Sequence, residues 1–138
     1  IASEKQKLAI AQYIDFIDNG GKLYFQDLTR ALLRRFLRRR IPILTGLNST
    51  YLYRTMRAFG PRMADDDIRG EVVGHFVVLC GYYEADKTVL IADPYHANPY
   101  SPDRLYAIPM DRVIGAILLG VMTYDANFMI IEPTVKQG

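Results

Sequence analysis

The segment running from Gly74 to Asp93 constrains the fold more than any other part of the chain. Gly74–Tyr83 alternates His75, Val77 and Leu79 on one face with Phe76, Val78 and Cys80 on the other, the period-two pattern of a strand. A second run, Lys87–Asp93, sets Val89, Ile91 and Asp93 on a common face. The short polar turn between them makes the two runs a β-hairpin, and that hairpin carries a histidine and an aspartate.

Opposed residues on one face of an antiparallel pair have Cβ atoms roughly 5 Å apart, so adjacent strands can bring His75 and Asp93 together. Parity decides whether they do. If Tyr83 opposes Lys87 across a three-residue loop, Glu84-Ala85-Asp86, then Val77 opposes Asp93 and His75 lies on the same face, diagonally adjacent. A two-residue turn reverses one strand's faces and separates the pair. Juxtaposition therefore requires an odd loop or a bulge. The plain structural alternative is a core histidine near the start of one strand and an Asp-Pro turn at the end of the other.

The flanking chain reads as helices followed by mostly antiparallel strands, an α+β class. Ser3-Glu4-Lys5-Gln6 has the form of a capping box, with Ile10, Tyr13, Ile14 and Ile17 at helical spacing behind it, and Asn19-Gly20-Gly21 as the stop. A second helix is expected over Asp27–Arg39, with Leu28, Leu32 and Phe36 as its apolar row and Arg30, Arg34 and Arg38 as a charged one. Arg40–Leu47 reads as a strand with Pro42 near its start. Tyr51–Phe59 fits a helical turn or a strand, and Gly60-Pro61 with Asp65-Asp66-Asp67 marks a surface loop. After the hairpin come a Pro- and Tyr-rich loop, Pro94–Asp103, and a short strand, Leu105–Ile108. A helix opened by Pro109 carries Val113, Ile114, Ile117 and Leu118, and a strand over Asn127–Glu132 closes the chain.

Length and composition narrow the function classes. The 138 residues suffice for one domain. A net charge of +2 implies no nucleic-acid partner, and the six arginines among residues 30–40 read as a solvated helix face. No apolar stretch is long enough for a membrane span. One cysteine excludes an internal disulfide and points to a reducing, cytoplasmic setting. His96 has no motif-like spacing to His75 and Asp93, Asp65–Asp67 lacks the alternating ligands of a calcium loop, and no phosphate-cradling glycine motif is present. No metal or other cofactor is expected.

A histidine whose second nitrogen is held by a carboxylate is the base half of a hydrolytic triad. The nucleophile is not evident. Cys80 sits five residues after His75 on the same strand, roughly 16 Å away along an extended backbone, and reads as a buried structural thiol. Ser49 and Thr50 follow the Ile43–Leu47 strand but nothing further supports them. Tyr82, Tyr83, Tyr95, Tyr100 and Tyr106 suggest an amphipathic groove rim as readily as good strand residues.

Gly74-His75-Phe76-Val77-Val78, then Gly81-Tyr82, a short turn and Ile91-Ala92-Asp93-Pro94, resembles the His and Asp motifs of bacteriocin-leader-processing cysteine peptidases and their stand-alone bacterial relatives. The Arg-rich helix leading into Ile41-Pro42-Ile43-Leu44 resembles the segment in which those proteins run a helix into the first strand of the sheet. The resemblance covers roughly residues 25–133. It implies a papain-like fold, an antiparallel sheet flanked by helices, with His75 as base, Asp93 as its orienting acid and a peptide or protein as substrate. In that family a Cys at the start of an N-terminal helix is the nucleophile, and a Gln shortly before it helps hold the oxyanion. Neither has a counterpart here. The expectation is a single domain over residues 1–138 that forms the C-terminal portion of a larger peptidase and is inactive by itself. The alternative is a non-catalytic peptide-binding module on the same scaffold. An incomplete fold would leave apolar surface for self-association.

Overall fold

The computed structural model describes residues 2–57, 74–120 and 127–133. Helices α1 (Glu4–Asp18) and α2 (Arg30–Arg38) precede strand β1 (Ile43–Asn48) and helix α3 (Ser49–Arg57). Strands β2 (Gly74–Tyr83), β3 (Thr88–Ala92) and β4 (Leu105–Pro109) follow, then helix α4 (Met110–Leu119) and strand β5 (Phe128–Ile130). The strands form one antiparallel sheet in the order β4-β3-β2-β1-β5. Helices leading into antiparallel strands make this an α+β protein, as the order of patterns predicts.

Register assigns the faces. Leu79 pairs with Ile43 on one side and Ile91 on the other, and Ile91 pairs with Tyr106. The same face therefore carries Ile43, Thr45 and Leu47, then Val77 and Leu79, then Val89 and Ile91, and finally Tyr106 and Ile108, all buried. Leu33 and Leu37 of α2, Leu52 and Tyr53 of α3, and Met110, Val113, Ala116 and Ile117 of α4 complete that core. The opposite face is also apolar but open: Leu44, Phe76, Leu105 and Met129 are exposed there.

Helix ends follow local rules. Ser3 and Gln6 form the reciprocal capping box. At the other end of α1, Gly20 takes a φ of 92° while Gly21 N–H donates to Phe16 O and Gly20 N–H to Ile17 O, a Schellman stop. The row Ile10, Tyr13, Ile14, Ile17 is nevertheless exposed, because α1 buries no residue in the sheet's core. α2 starts three residues later than the apolar pattern suggests, since the Thr29 hydroxyl accepts from Leu32 N–H and fixes the N-cap there. Its buried pair is Leu33 and Leu37 rather than Leu28 and Leu32. Arg30, Arg38 and Arg39 are exposed and pair across the surface, with Asp111, Glu84 and Glu132 respectively, whereas Arg34 is half-buried and its Nε meets no hydrogen-bond partner among the described residues. β1 begins just after Pro42, and Pro109 caps α4 from outside its first turn. Gly60-Pro61 and Asp65–Asp67 lie outside the described residues. Among the described residues no helix is long and apolar enough to cross a membrane.

Candidate active site

The hairpin reaches the required register by a route other than the expected loop. Four residues, Glu84–Lys87, connect the strands, because Tyr83 pairs with Thr88. An even loop alone would turn His75 and Asp93 to opposite faces. A β-bulge between Leu79 and Gly81, where Cys80 is the extra residue, shifts the pairing by one and restores the odd register: Leu79 opposes Ile91 and Val78 opposes Ala92. One step further sets Asp93 across from Val77, with His75 diagonal to it on the buried face. His75 Nε2 lies 2.7 Å from Asp93 Oδ1.

Asp93 follows β3 directly, and its backbone N–H donates to Arg104 O at 2.9 Å, tying it to the approach to β4. Pro94 starts the turn, and Tyr95 N–H donates to Asp93 Oδ1 at 2.9 Å, an Asx turn. The turn and the pairing with His75 thus use the same carboxylate. Its other oxygen, Oδ2, accepts from two phenols, Tyr53 at 2.6 Å and Tyr106 at 2.5 Å. An ionised carboxylate offers about four lone-pair sites, and all four are filled.

Burial is the largest single influence on Asp93, which is 2% exposed, and it opposes ionisation. The donors win: Tyr106, Tyr53, His75 and the Tyr95 amide together hold the carboxyl below its ordinary range. The two phenols are pushed well above theirs, by burial first and by the hydrogen bond to Asp93 next, so both stay protonated donors. With Asp93 ionised and acceptor-only, the shared proton belongs to His75 Nε2. The neutral imidazole then presents the Nδ1 lone pair, which meets no hydrogen-bond donor among the described residues. His75 is partly open to solvent, its side chain 22% exposed. This is a histidine held in one tautomer by a buried anion, with no described residue bonded to its other nitrogen.

Tyrosines wall the pair. The rings of Tyr53 and Tyr95 lie 6.4 and 6.3 Å from the His75 ring, Tyr95 edge-on. Tyr100 stacks 4.7 Å from Tyr106 and donates its hydroxyl to Leu52 O, tying the loop to α3. Asn98 organises that loop from within: its amide donates to Tyr95 O and Ser101 O, and its Oδ1 accepts from Tyr100 and Ser101 N–H. Of the tyrosines singled out in the sequence, Tyr95, Tyr100 and Tyr106 gather here, while Tyr83 is exposed at the far end of β2. Tyr53 was not anticipated. It is placed by the N-cap of α3, where Asn48 Oδ1 accepts from Tyr51 N–H at 2.9 Å.

No protein-family model, curated protein or solved structure matches the chain.

Cys80 is exposed at the bulge rather than buried. Its Sγ donates to Leu90 O at 3.5 Å, and partial burial pushes the thiol's pKa up, which keeps it protonated. Ser49 and Thr50 occupy the first turn of α3. His96 is exposed in the turn after Tyr95, and among the described residues no three His, Cys, Asp or Glu side chains come together as metal ligands.

Proposed function

We propose that His75 and Asp93 are the base and orienting acid of a cysteine-type amide hydrolase. In this reading the scaffold is the papain-like one of the bacteriocin-leader-processing peptidases, and the substrate is a peptide or protein. The carrying observation is the 2.7 Å bond from His75 Nε2 to a buried, four-fold hydrogen-bonded carboxylate, with Nδ1 meeting no donor among the described residues. A thiol supplied from outside these 138 residues gives its proton to Nδ1. The thiolate adds to the amide carbonyl, and the imidazolium is stabilised by Asp93. Collapse of the tetrahedral adduct breaks the C–N bond as Nδ1 returns the proton to the leaving amine. Water, deprotonated by the same nitrogen, then hydrolyses the acyl-thioester.

The test is expression of the full reading frame that contains this chain, with peptide cleavage followed by mass spectrometry. Cleavage should fall about 10²–10⁴-fold in His75→Ala, the usual worth of a positioned acid-base, and the 138-residue chain alone should cleave nothing. Cleavage that survives His75→Ala would exclude the pair as the base. A full-length protein that binds peptides without cutting them would establish the non-catalytic module instead. Turnover by the isolated chain that disappears with His75→Ala would refute the external thiol.

A further inference from the structure

A carboxylate that orients a histidine needs one oxygen committed to the imidazole and a charge that does not draw the proton too strongly. Asp93 meets both needs through residues from other elements. Tyr53 arrives from α3 and Tyr106 from β4, and both hydroxyls converge on Oδ2, leaving Oδ1 to His75 and the Tyr95 amide. Two short charge-assisted bonds on one oxygen fix the carboxylate plane and withdraw charge from it. His75 is faced by Asp93, by the Tyr53 ring from α3 and by the Tyr95 ring from the loop after β3. Asp93 is the one charged side chain within ion-pair distance of it among the described residues.

We propose that Tyr53 and Tyr106 act as a phenolic clamp on Asp93 Oδ2, positioning residues that turn Oδ1 toward His75 and moderate the carboxylate's pull on the imidazole proton. The clamp thereby weakens the hold of Asp93 on the imidazole proton relative to an unclamped aspartate. Its two arms come from α3 and β4: displacing β4 changes the base through Asp93 alone, while displacing α3 also moves the Tyr53 ring that faces His75. The proposal rests on reading His75 and Asp93 as a base and its orienting acid, and the experiment separates the two.

The measurement is an NMR titration of the imidazole signals of the 138-residue chain, which has only two histidines and so is assigned with a His96→Gln control. Asp93→Asn tests the pair: loss of the charge should lower the His75 midpoint by about one unit, a tenfold fall in proton affinity. Tyr53→Phe and Tyr106→Phe test the clamp: each returns charge to the carboxylate and should raise the midpoint by about half a unit, roughly threefold in affinity. A 3-fluorotyrosine placed at position 106 is a stronger donor and should shift it the opposite way, a sign change that a packing role does not produce. It also serves if a Phe variant does not fold. If Asp93→Asn lowers the midpoint while both Phe variants and the fluorinated residue leave it unmoved, the clamp is overturned and the pair stands. If Asp93→Asn leaves it unmoved, pair and clamp fall together.

Discussion

Replacing Asp93 by Asn keeps the side chain's shape and removes its charge, so the cost isolates what the carboxylate does for the fold. Oδ1 can still accept from His75 and the Tyr95 amide, but as neutral bonds worth about 0.5–1.5 kcal/mol rather than 1.5–3. Oδ2 becomes an NH₂ group facing the Tyr53 and Tyr106 hydroxyls, which must rotate from donating to accepting. Losing about 1 kcal/mol on each of the four bonds, less some relief from the removed charge's desolvation, gives a net destabilisation of about 2–4 kcal/mol at pH 7. The pH dependence carries the sharper test. Asp93 is depressed below its unfolded value of about 3.9. Its ionised form therefore contributes stability that is fully present above that value and is lost as pH falls through the folded pKa. In urea unfolding, the gap between the wild type and Asp93→Asn should not narrow between pH 7 and about 5, where a protonating His75 gains from the Asp93 charge, and should narrow only below about 4. A gap under about 1 kcal/mol, or one that already closes between pH 7 and 5, would mean that burial rather than the four donors governs this carboxylate.

Three further outcomes follow from the geometry. Asn98→Ala removes four hydrogen bonds that bind the loop after Asp93 to itself; it should cost about 2–4 kcal/mol in urea unfolding and speed amide exchange at Tyr100 and Ser101, and unchanged exchange there would contradict the loop's dependence on Asn98. Arg30→Ala breaks a bidentate pair with Asp111 that joins α2 to the first turn of α4. Both partners are more than half exposed, so the loss should stay below about 1 kcal/mol and shrink in high salt; a larger, salt-independent cost would show a packing role for the arginine stem. Cys80, exposed but with its pKa raised, should react with iodoacetamide at pH 7 more slowly than a free thiol and speed up as pH rises; faster-than-free alkylation would mark it as an activated nucleophile after all.

The alternation through Gly74–Tyr83 and Val89–Asp93 made the hairpin legible because one of its faces is buried, and burial writes itself as period two. The first helix was legible to the residue, since a capping box and a Gly-Gly stop are local chemistry. What local chemistry cannot reveal is which row of a helix meets the core. Leu33 and Leu37 are buried instead of Leu28 and Leu32 because Thr29 sets where α2 starts and the sheet sets which way it faces. Tyr53 is an extreme case of the same limit. Its partner lies 40 residues away, so no window of sequence holds both.

The bulge at Cys80 shows why the two readings of this hairpin need not compete. Neither the four-residue loop nor the bulge suffices alone, as each reverses the faces once and only the two together restore them. Restoring them aligns the buried rows across β2 and β3, a gain in packing that would select the bulge without any catalysis. It also brings His75 onto Asp93. In the same way, the Asx turn after Asp93 and the bond to His75 share Oδ1, so the structural role of the aspartate fixes the orientation that a base requires. Had the carboxylate been there for the turn alone, one acceptor atom would have been enough. The convergence of Tyr53 and Tyr106 on its other oxygen, from a helix and a strand that the turn does not need, is what argues that the charge itself is being held in place.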